Sequence, residues 1–556
     1  MHAPVVATPE QLGEHCRQAV GAPRVEKVGD RIFVAIGYDL ANTIAIKTEH
    51  GRIIVDAMMS PERAQLAKAA LDAQVPGPTH AVVLTHSHID HVGGIGTWLE
   101  ANTQIWATDA FAEHFLKQYG VFQAAERARG LRQFGAHLPD AALPCSALGR
   151  KPDFSASVGA GFRMPTHTFS GQRDLSIDGV ALELVEAHGE TDDQLFVWLP
   201  SEKALLPGDN YYQAFPNLYT IRGTRPRHVD QWIGSLDRMR RREPEYLVPS
   251  HTVPLRGRAQ VLEHLTNYRD AIAYLQAHVV RAANAGTSLG ALSEHLALPA
   301  HLASQPYLLP LYGELHWSVR AMYMNELGWF DGETAELYPL PQSELAAREV
   351  QLLGGPDKVL TLVEQALTQK DPQWALHLIA KLEHSQLVAA EVQQRLLAAR
   401  IQSETALGER VTNTNGRGYL LESALSRQHP ELPSFRPKLE GELLSTIPVR
   451  MFFEALPGRL RPDAAGDIVE TLAVELSDVK SRFVLTLRRG VLEVVEGDPL
   501  PLTPTPFAIL QTDSATFKDL ALKRTSPLVA IGSGKLSITG NALRVPEFFG
   551  LFQQEL

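Results

Sequence analysis

The chain has 556 residues, 44% of them hydrophobic and 21% charged, with a formal net charge of −11 at pH 7. That length exceeds what one hydrophobic core serves and predicts two to four domains with the composition of an ordinary soluble enzyme. The acidic balance, with no dense basic block beyond Arg238, Arg240, Arg241 and Arg242, argues against nucleic acid as a partner, and no run of ~18 apolar residues is present to span a membrane.

From the N-terminus, Met1 to Pro23 has neither a basic start nor a continuous apolar run, so it does not read as a signal peptide. The expected location is cytoplasmic as written, or periplasmic or secreted if a leader has been removed. Cys16 and Cys145 lie far apart without a CxxC partner, so neither a zinc site nor a disulfide framework is expected of them, in keeping with a reducing compartment. Up to about residue 257, short β-rich runs alternate with amphipathic stretches, the pattern of a layered α/β domain. Candidate strands are Arg31–Tyr38, Thr43–Thr48, Arg52–Asp56, Ala81–Thr85, Gln104–Ala107, Ala181–Ala187, Gln194–Leu199, Lys203–Leu206 and Glu245–Pro249, with helices at Pro61–Gln74 and His228–Arg242. Over residues 258–430 helical periodicity takes over, as in Val261–Ala285, Tyr312–Leu327, Lys358–Leu367 and Val388–Leu407, which predicts a separate helical domain. Residues 431–556 return to β character in Arg482–Arg488, Val491–Glu496, Leu528–Ser533 and Lys535–Thr539, predicting a small α+β domain.

The strongest chemical signal is Thr85-His86-Ser87-His88-Ile89-Asp90-His91, which follows the apolar run Ala81-Val82-Val83-Leu84 and leads into Val92-Gly93-Gly94. Three imidazoles and a carboxylate at the mouth of a buried strand cost several kcal/mol to bury without partners, and coordination removes that cost. Alternate residues after a strand diverge, so His86 and His88 can serve one metal while Asp90 and His91 turn towards a second. Imidazole and carboxylate donors suit zinc, although ligand type alone also admits iron or manganese.

An HxHxDH sequence after a strand resembles the metallo-β-lactamase superfamily, and the rest of that family's pattern follows in order. The third ligand position, usually a histidine, falls in His188-Gly189-Glu190-Thr191-Asp192-Asp193, where Glu190 is the matching residue and His188 the alternative. Glutamate at this position resembles the alkylsulfatase group. Leu206-Pro207-Gly208-Asp209 resembles the strand end carrying the carboxylate that bridges both metals, with aspartate where alkylsulfatases more commonly have glutamate. Leu247-Val248-Pro249-Ser250-His251 supplies the last histidine. The resemblance implies an αββα sandwich holding two Zn²⁺ per chain, with His86, His88 and Glu190 on one, Asp90, His91 and His251 on the other, and Asp209 shared. Such a pair would generate a hydroxide for hydrolysis.

Substrate selection must come from elsewhere, because the scaffold also serves lactonases and phosphodiesterases. The stretch Gly208 to Gly223 resembles the alkylsulfatase segment in which an Asn and an Arg bind sulfate, here Asn217 and Arg222. The segment Leu311 to Tyr323, followed by Gly328-Trp329-Phe330-Asp331-Gly332, resembles the alkylsulfatase helical dimerisation domain. Within it Tyr312 and His316, four residues apart on an expected common helix face, are with Asp90 the candidate catalytic residues. The last segment resembles a sterol-carrier-like domain. Together these imply an alkyl sulfate substrate, a homodimer and sulfuric ester hydrolysis. The rivals are another hydrolase of the same fold, and a lipid-binding protein with a vestigial metal domain.

Overall fold

The computed structural model describes residues 8–294, 296–433, 435, 448–521 and 524–553. Residues 1–114 with 125–438 form one compact unit, and residues 115–124 with 439–556 a second. The expected boundary between residues 430 and 431 lies next to the stretch 436–447, outside the described residues.

In the first unit two sheets face each other. The seven-stranded sheet runs in sequence order through β1 (Arg24–Val28), β2 (Ile32–Ile36), β3 (Thr43–Lys47), β4 (Arg52–Val55), β5 (Thr79–Val83), β6 (Gln104–Thr108) and β7 (His167–Phe169). β1 to β4 are antiparallel, and β4 to β7 pair in parallel. The six-stranded sheet comprises β8 (Gln172–Ile177), β9 (Val180–Glu186), β10 (Leu195–Leu199), β11 (Ala204–Leu206), β12 (Tyr246–Leu247) and β13 (Leu255–Arg256), in spatial order 13-12-11-10-9-8.

Strands buried on both faces read as unbroken apolar runs rather than alternating ones, which is why β2 (Ile-Phe-Val-Ala-Ile) and β10 (Leu-Phe-Val-Trp-Leu) are buried throughout. Ile44, Ile53, Val55 and Val83 of the first sheet meet Leu184, Leu195, Val197 and Leu206 of the second in one apolar layer. The outer face of the second sheet packs Phe196, Trp198 and Leu205 against the helices Val229–Arg240 and Arg258–Asn284 through Trp232, Leu236, Leu265 and Ile272. On the other side lies the helix Pro61–Asp72, started by the Ser60 hydroxyl, which accepts from the Arg63 N–H, and by proline in its first turn. The layers are helix, sheet, sheet, helix, the expected sandwich.

Beyond the long helix, Gln342–Leu352, Pro356–Thr368, Pro372–Ser385 and Ala390–Arg410 pack around Val350, Val359, Leu360, Val363, Leu378, Ile379 and Leu382. In the second unit β14 (Val469–Leu476), β15 (Ser481–Arg488), β16 (Val491–Glu496), β17 (Ala508–Thr512) and β18 (Leu536–Gly540) form a five-stranded sheet over a core in which Phe453 stacks between Phe483 and Phe517. Among the described residues no helix is long and apolar enough to cross a membrane.

Two expectations fail. Leu528–Ser533 falls on the helix Pro527–Gly532, not a strand, because the Ser526 hydroxyl accepts from the Val529 N–H and Pro527 sets the first turn, local signals that override the β-branched composition. Cys16 and Cys145 form a disulfide across 129 residues, with Cα atoms 5.8 Å apart. Sequence separation does not limit pairing once the chain folds back. His15, beside Cys16, reaches the Ala147 carbonyl at 2.6 Å, and Leu12 joins Leu148 and Leu40 in a common cluster.

Candidate metal and anion site

The site forms where strand ends of both sheets meet. After β5 the chain turns through His88 into the short helix Ile89–Val92, which carries Asp90 and His91 inward. After β11, Gly208 takes φ +59, and a side chain there would collide with Gln194, so a glycine is needed for the turn that delivers Asp209. His251 follows β12, and Glu190 lies between β9 and β10.

These groups converge. His86 Nε2, His88 Nδ1 and an Asp209 oxygen form one compact donor set, and Asp90, His91 and His251 another. Asp209 joins them: its oxygens lie 3.7 Å from His86 Nε2, 3.4 Å from His91 Nε2 and 3.2 Å from His251 Nε2. All seven residues proposed as ligands are buried. Glu190 differs from its expected place in one respect: it sits against Asp209, but its Oε1 pairs with Arg227 Nη1 at 2.7 Å, while Oε2 is buried without a partner. The alternative, His188, turns away, with Nδ1 2.7 Å from Gln231 and Nε2 3.1 Å from Glu186.

The electrostatics are those of a cation site. Burial pulls His91 down, but Asp209, Asp90 and Asp56 outweigh it and hold the imidazole well above its ordinary pKa; His251 is raised, mainly by Asp209 against burial. Burial takes His86 down to about 3, assisted by His91. Burial also pushes Glu190 up to about 7, against the pull of Arg227. His91 Nε2, Glu190 Oε2 and Asp209 Oδ1 are buried with no hydrogen-bond partner, and a metal ion satisfies such donors directly. Raised His91, His251 and Glu190 hold protons near neutral pH, so metal uptake must displace them. Affinity therefore rises with pH through neutrality, by up to about tenfold per unit for each proton displaced. Adding metal to weakly buffered, metal-free protein should acidify the solution, and an unchanged pH would refute this.

Asp56 orients the cluster and was not singled out from sequence. It ends the β4 run at φ 59, outside the comfortable range of a non-glycine residue. Its carboxylate accepts from the Thr85 N–H and hydroxyl, both at 2.9 Å, from the Ser250 hydroxyl at 2.6 Å and from His91 Nδ1 at 2.7 Å. It thereby turns His91 Nε2 to the site, as the Leu40 carbonyl does for His251 through Nδ1 at 2.9 Å. Asp56→Ala should lower metal affinity by about 10- to 100-fold, the usual effect of removing such a partner; chelator competition measures it.

Next to the donors lie two further buried polar side chains, Arg222 and Asn217. Arg222 Nη2 is 3.1 Å from His88 Nε2, its Nε donates to Glu126 at 3.0 Å and its Nη1 to Thr220 Oγ1 at 3.1 Å. Asn217 is fully buried, and neither atom of its amide has a hydrogen-bond partner.

Comparison with known proteins places this arrangement. Residues 36–251 match the metallo-beta-lactamase superfamily, 289–429 the alkyl sulfatase dimerisation family and 438–555 the alkyl sulfatase C-terminal family. A linear primary-alkylsulfatase of Pseudomonas sp. is 30% identical over 539 residues, 92% of this chain and 98% of the relative. The chain belongs to the alkylsulfatase family. An alkyl/aryl-sulfatase of Saccharomyces cerevisiae is 26% identical over 95% of this chain and 82% of its own. The solved structure of the stereoselective inverting sec-alkylsulfatase Pisa1 from Pseudomonas sp. superposes with a TM-score of 0.89 at 27% identity, covering 98% of this chain and 87% of that one.

One expectation about the alkylsulfatase site needs correction. Tyr312 and His316 do not share a helix face, because the helix starts only at Leu315, capped by Glu314. Tyr312 lies before it, buried among Tyr212, Leu311 and Leu40, with its charge environment set partly by Arg222, Glu190 and Asp90. His316 has a side chain 53% exposed and pairs with Glu314 at 3.3 Å. A second arginine, Arg227, was also missed; among several arginines in this stretch, nothing in the local sequence separates it.

Proposed function

We propose that this chain hydrolyses alkyl sulfate esters to an alcohol and inorganic sulfate, using two zinc ions per chain. The observation that carries the reading is a buried amide, Asn217, without partners, and a buried guanidinium, Arg222, beside a two-part cluster of metal donors. His86, His88 and Glu190 would hold one zinc, Asp90, His91 and His251 the other, with Asp209 common to both. When bound, the pair supplies Lewis acidity and brings the pKa of a water towards neutrality.

The remaining work falls to side chains. Arg222 is a planar fork suited to an oxyanion, held in place by Glu126, Thr220 and, through its backbone N–H, Gln133. Asn217 is fixed through its backbone N–H, which donates to the Tyr212 hydroxyl at 2.7 Å, and its amide can donate to a sulfate oxygen. Burial pushes the Tyr312 phenol well above its usual pKa, so it keeps its proton and can donate a hydrogen bond to the leaving oxygen. The exposed His316 is the weaker candidate for that role.

A homodimer is supported by the match to the dimerisation family and by exposed Met324, Leu327, Trp329, Phe330 and Tyr338 in that region. Maturation in an oxidising compartment is supported by the Cys16–Cys145 disulfide. The deciding experiment incubates zinc-loaded protein with primary and secondary alkyl sulfates in ¹⁸O-water. Sulfate release supports the proposal; label in sulfate assigns attack at sulfur, and label in the alcohol attack at carbon. No sulfate from protein holding two metals per chain overturns it.

A further inference from the structure

At the end of β4 and β5 remote from the catalytic donors, a second group of side chains able to ligate a metal converges, and the reaction makes no use of it. Glu49 and His50 stand in the β3–β4 turn, Asp178 in the β8–β9 turn and His80 in β5. His50 Nδ1 lies 2.8 Å from Asp178 Oδ1 and His80 Nε2 lies 3.2 Å from Asp178 Oδ2, while donor atoms of Glu49, His50 and Asp178 all fall within 4.8 Å of one another. The two turns are already stitched at the backbone: the Glu49 N–H donates to the Asp178 carbonyl at 3.0 Å and the His50 N–H to the Asp178 carboxylate at 2.6 Å. Because β4 runs on to Asp56 and β5 to His86, about 15–20 Å separates this group from the catalytic donors at a rise of ~3.3 Å per residue.

Two features separate this group from an ordinary hydrogen-bonded turn. A carboxylate that braces a turn needs one imidazole, yet a second is brought to it: His80 Nε2 is buried and has no hydrogen-bond partner. Glycines also leave room beside the donors, since a Cβ at Gly51 would stand 2.9 Å from His80 Nε2 and one at Gly179 would stand 3.2 Å from Glu49 Oε2. Around a tetrahedral zinc with bonds of ~2.0–2.1 Å, neighbouring donors lie about 3.3 Å apart, close to the spacing of His80 and Asp178. Two imidazoles with two carboxylates suit zinc and its neighbours cobalt and nickel better than an all-oxygen cation such as calcium. We propose that Glu49, His50, His80 and Asp178 form a further metal site, fitted to zinc, that clamps the β3–β4 turn of the first sheet to the β8–β9 turn of the second.

Such a clamp joins the two sheets at one end of the sandwich, while the catalytic donors bring them together at the other. The group opens directly to solvent through Glu49 and through His50, whose side chain is 71% exposed, so an ion reaches it without passing the catalytic cluster. Exposed side chains give up more conformational freedom on ordering than buried ones already fixed by packing. A chelator should therefore strip this metal before those held by the buried donors.

The test reads metal content rather than turnover, and so stands whether or not the sulfatase reading holds. The full chain and its His50→Gln and His80→Gln variants are dialysed against micromolar Zn²⁺ and analysed for metal per chain. The parent should hold one equivalent more than either variant, and chelator titration should show the affinity for that equivalent lowered by at least about 100-fold, beyond the usual effect of losing an outer-shell partner. Asp209→Ala, which disrupts the other cluster, should keep this equivalent. Release of sulfate from an alkyl sulfate by the His50→Gln variant should stay within twofold of the parent. Equal metal content in the parent and the His50→Gln variant overturns the assignment. Because the His50 side chain is largely in solvent, that variant also covers the case in which the less exposed His80→Gln variant does not fold.

Discussion

Replacing Arg222 by alanine should lower kcat/KM for alkyl sulfates by about 10²- to 10³-fold, corresponding to the roughly 3–4 kcal/mol typical of removing a buried, charge-paired donor. The magnitude follows from the surroundings. Arg222 is 9% exposed, and its guanidinium is fixed by Glu126 and Thr220 while Nη2 faces His88. Alanine removes the fork and also breaks its ion pair with Glu126, so two costs add. Lysine should recover only part, since one ammonium cannot reproduce a planar pair of donors. Steady-state kinetics with a medium-chain alkyl sulfate measures the effect. A change below tenfold would mean that Arg222 serves the fold rather than the anion.

The second large effect concerns Asp209. Among the described residues it is the one carboxylate within 4 Å of His86, His91 and His251 together, and burial is overcome by those imidazoles to keep it ionised far below the usual range. Asp209→Ala should therefore reduce bound metal below two per chain and activity by at least about 10³-fold, since metal-ion catalysis supplies several kcal/mol of the barrier reduction. Asp209→Glu keeps the charge with one extra methylene and should retain part of both. Elemental analysis alongside sulfate release is the check. Two tightly held metals with near-normal turnover in the alanine variant would show that the two donor sets do not depend on a shared carboxylate.

Much of the site was legible because its donors sit at strand ends. His86 to His91, Asp209 and His251 each follow an apolar run, and an interior imidazole or carboxylate needs a partner. Asp56 also ends such a run, but a single aspartate closing a strand is common, and only the fold brings Thr85, Ser250 and His91 around it. Arg227 was hidden for a similar reason: its importance lies in contacts with Glu190 and Asn217, 37 and 10 residues away in the chain. The Tyr312–His316 pairing failed on a helix boundary, where a shift of three residues moves a side chain off the face. The Cys16–Cys145 bridge was closed by tertiary folding that no spacing rule encodes. In the second unit, Leu528 to Ile531 looked extended by composition, yet Ser526 and Pro527 start a helix.

The two sheets contribute separately to the cluster: Asp56 and His86 to His91 come from the ends of the first, Glu190, Asp209 and His251 from the second. The gap between those two groups is set by the apolar layer of Ile53, Val55 and Val83 against Leu184, Val197 and Leu206, which acts as a shim. Such a layer is close-packed and transmits small volume changes as displacement, and misplacing catalytic groups by about 1 Å can cost 10²-fold in rate. Trimming a methyl from this layer is thus a way to retune the reach between the donor groups without touching any residue that meets the substrate, and drift in turnover can accumulate from the interior outward.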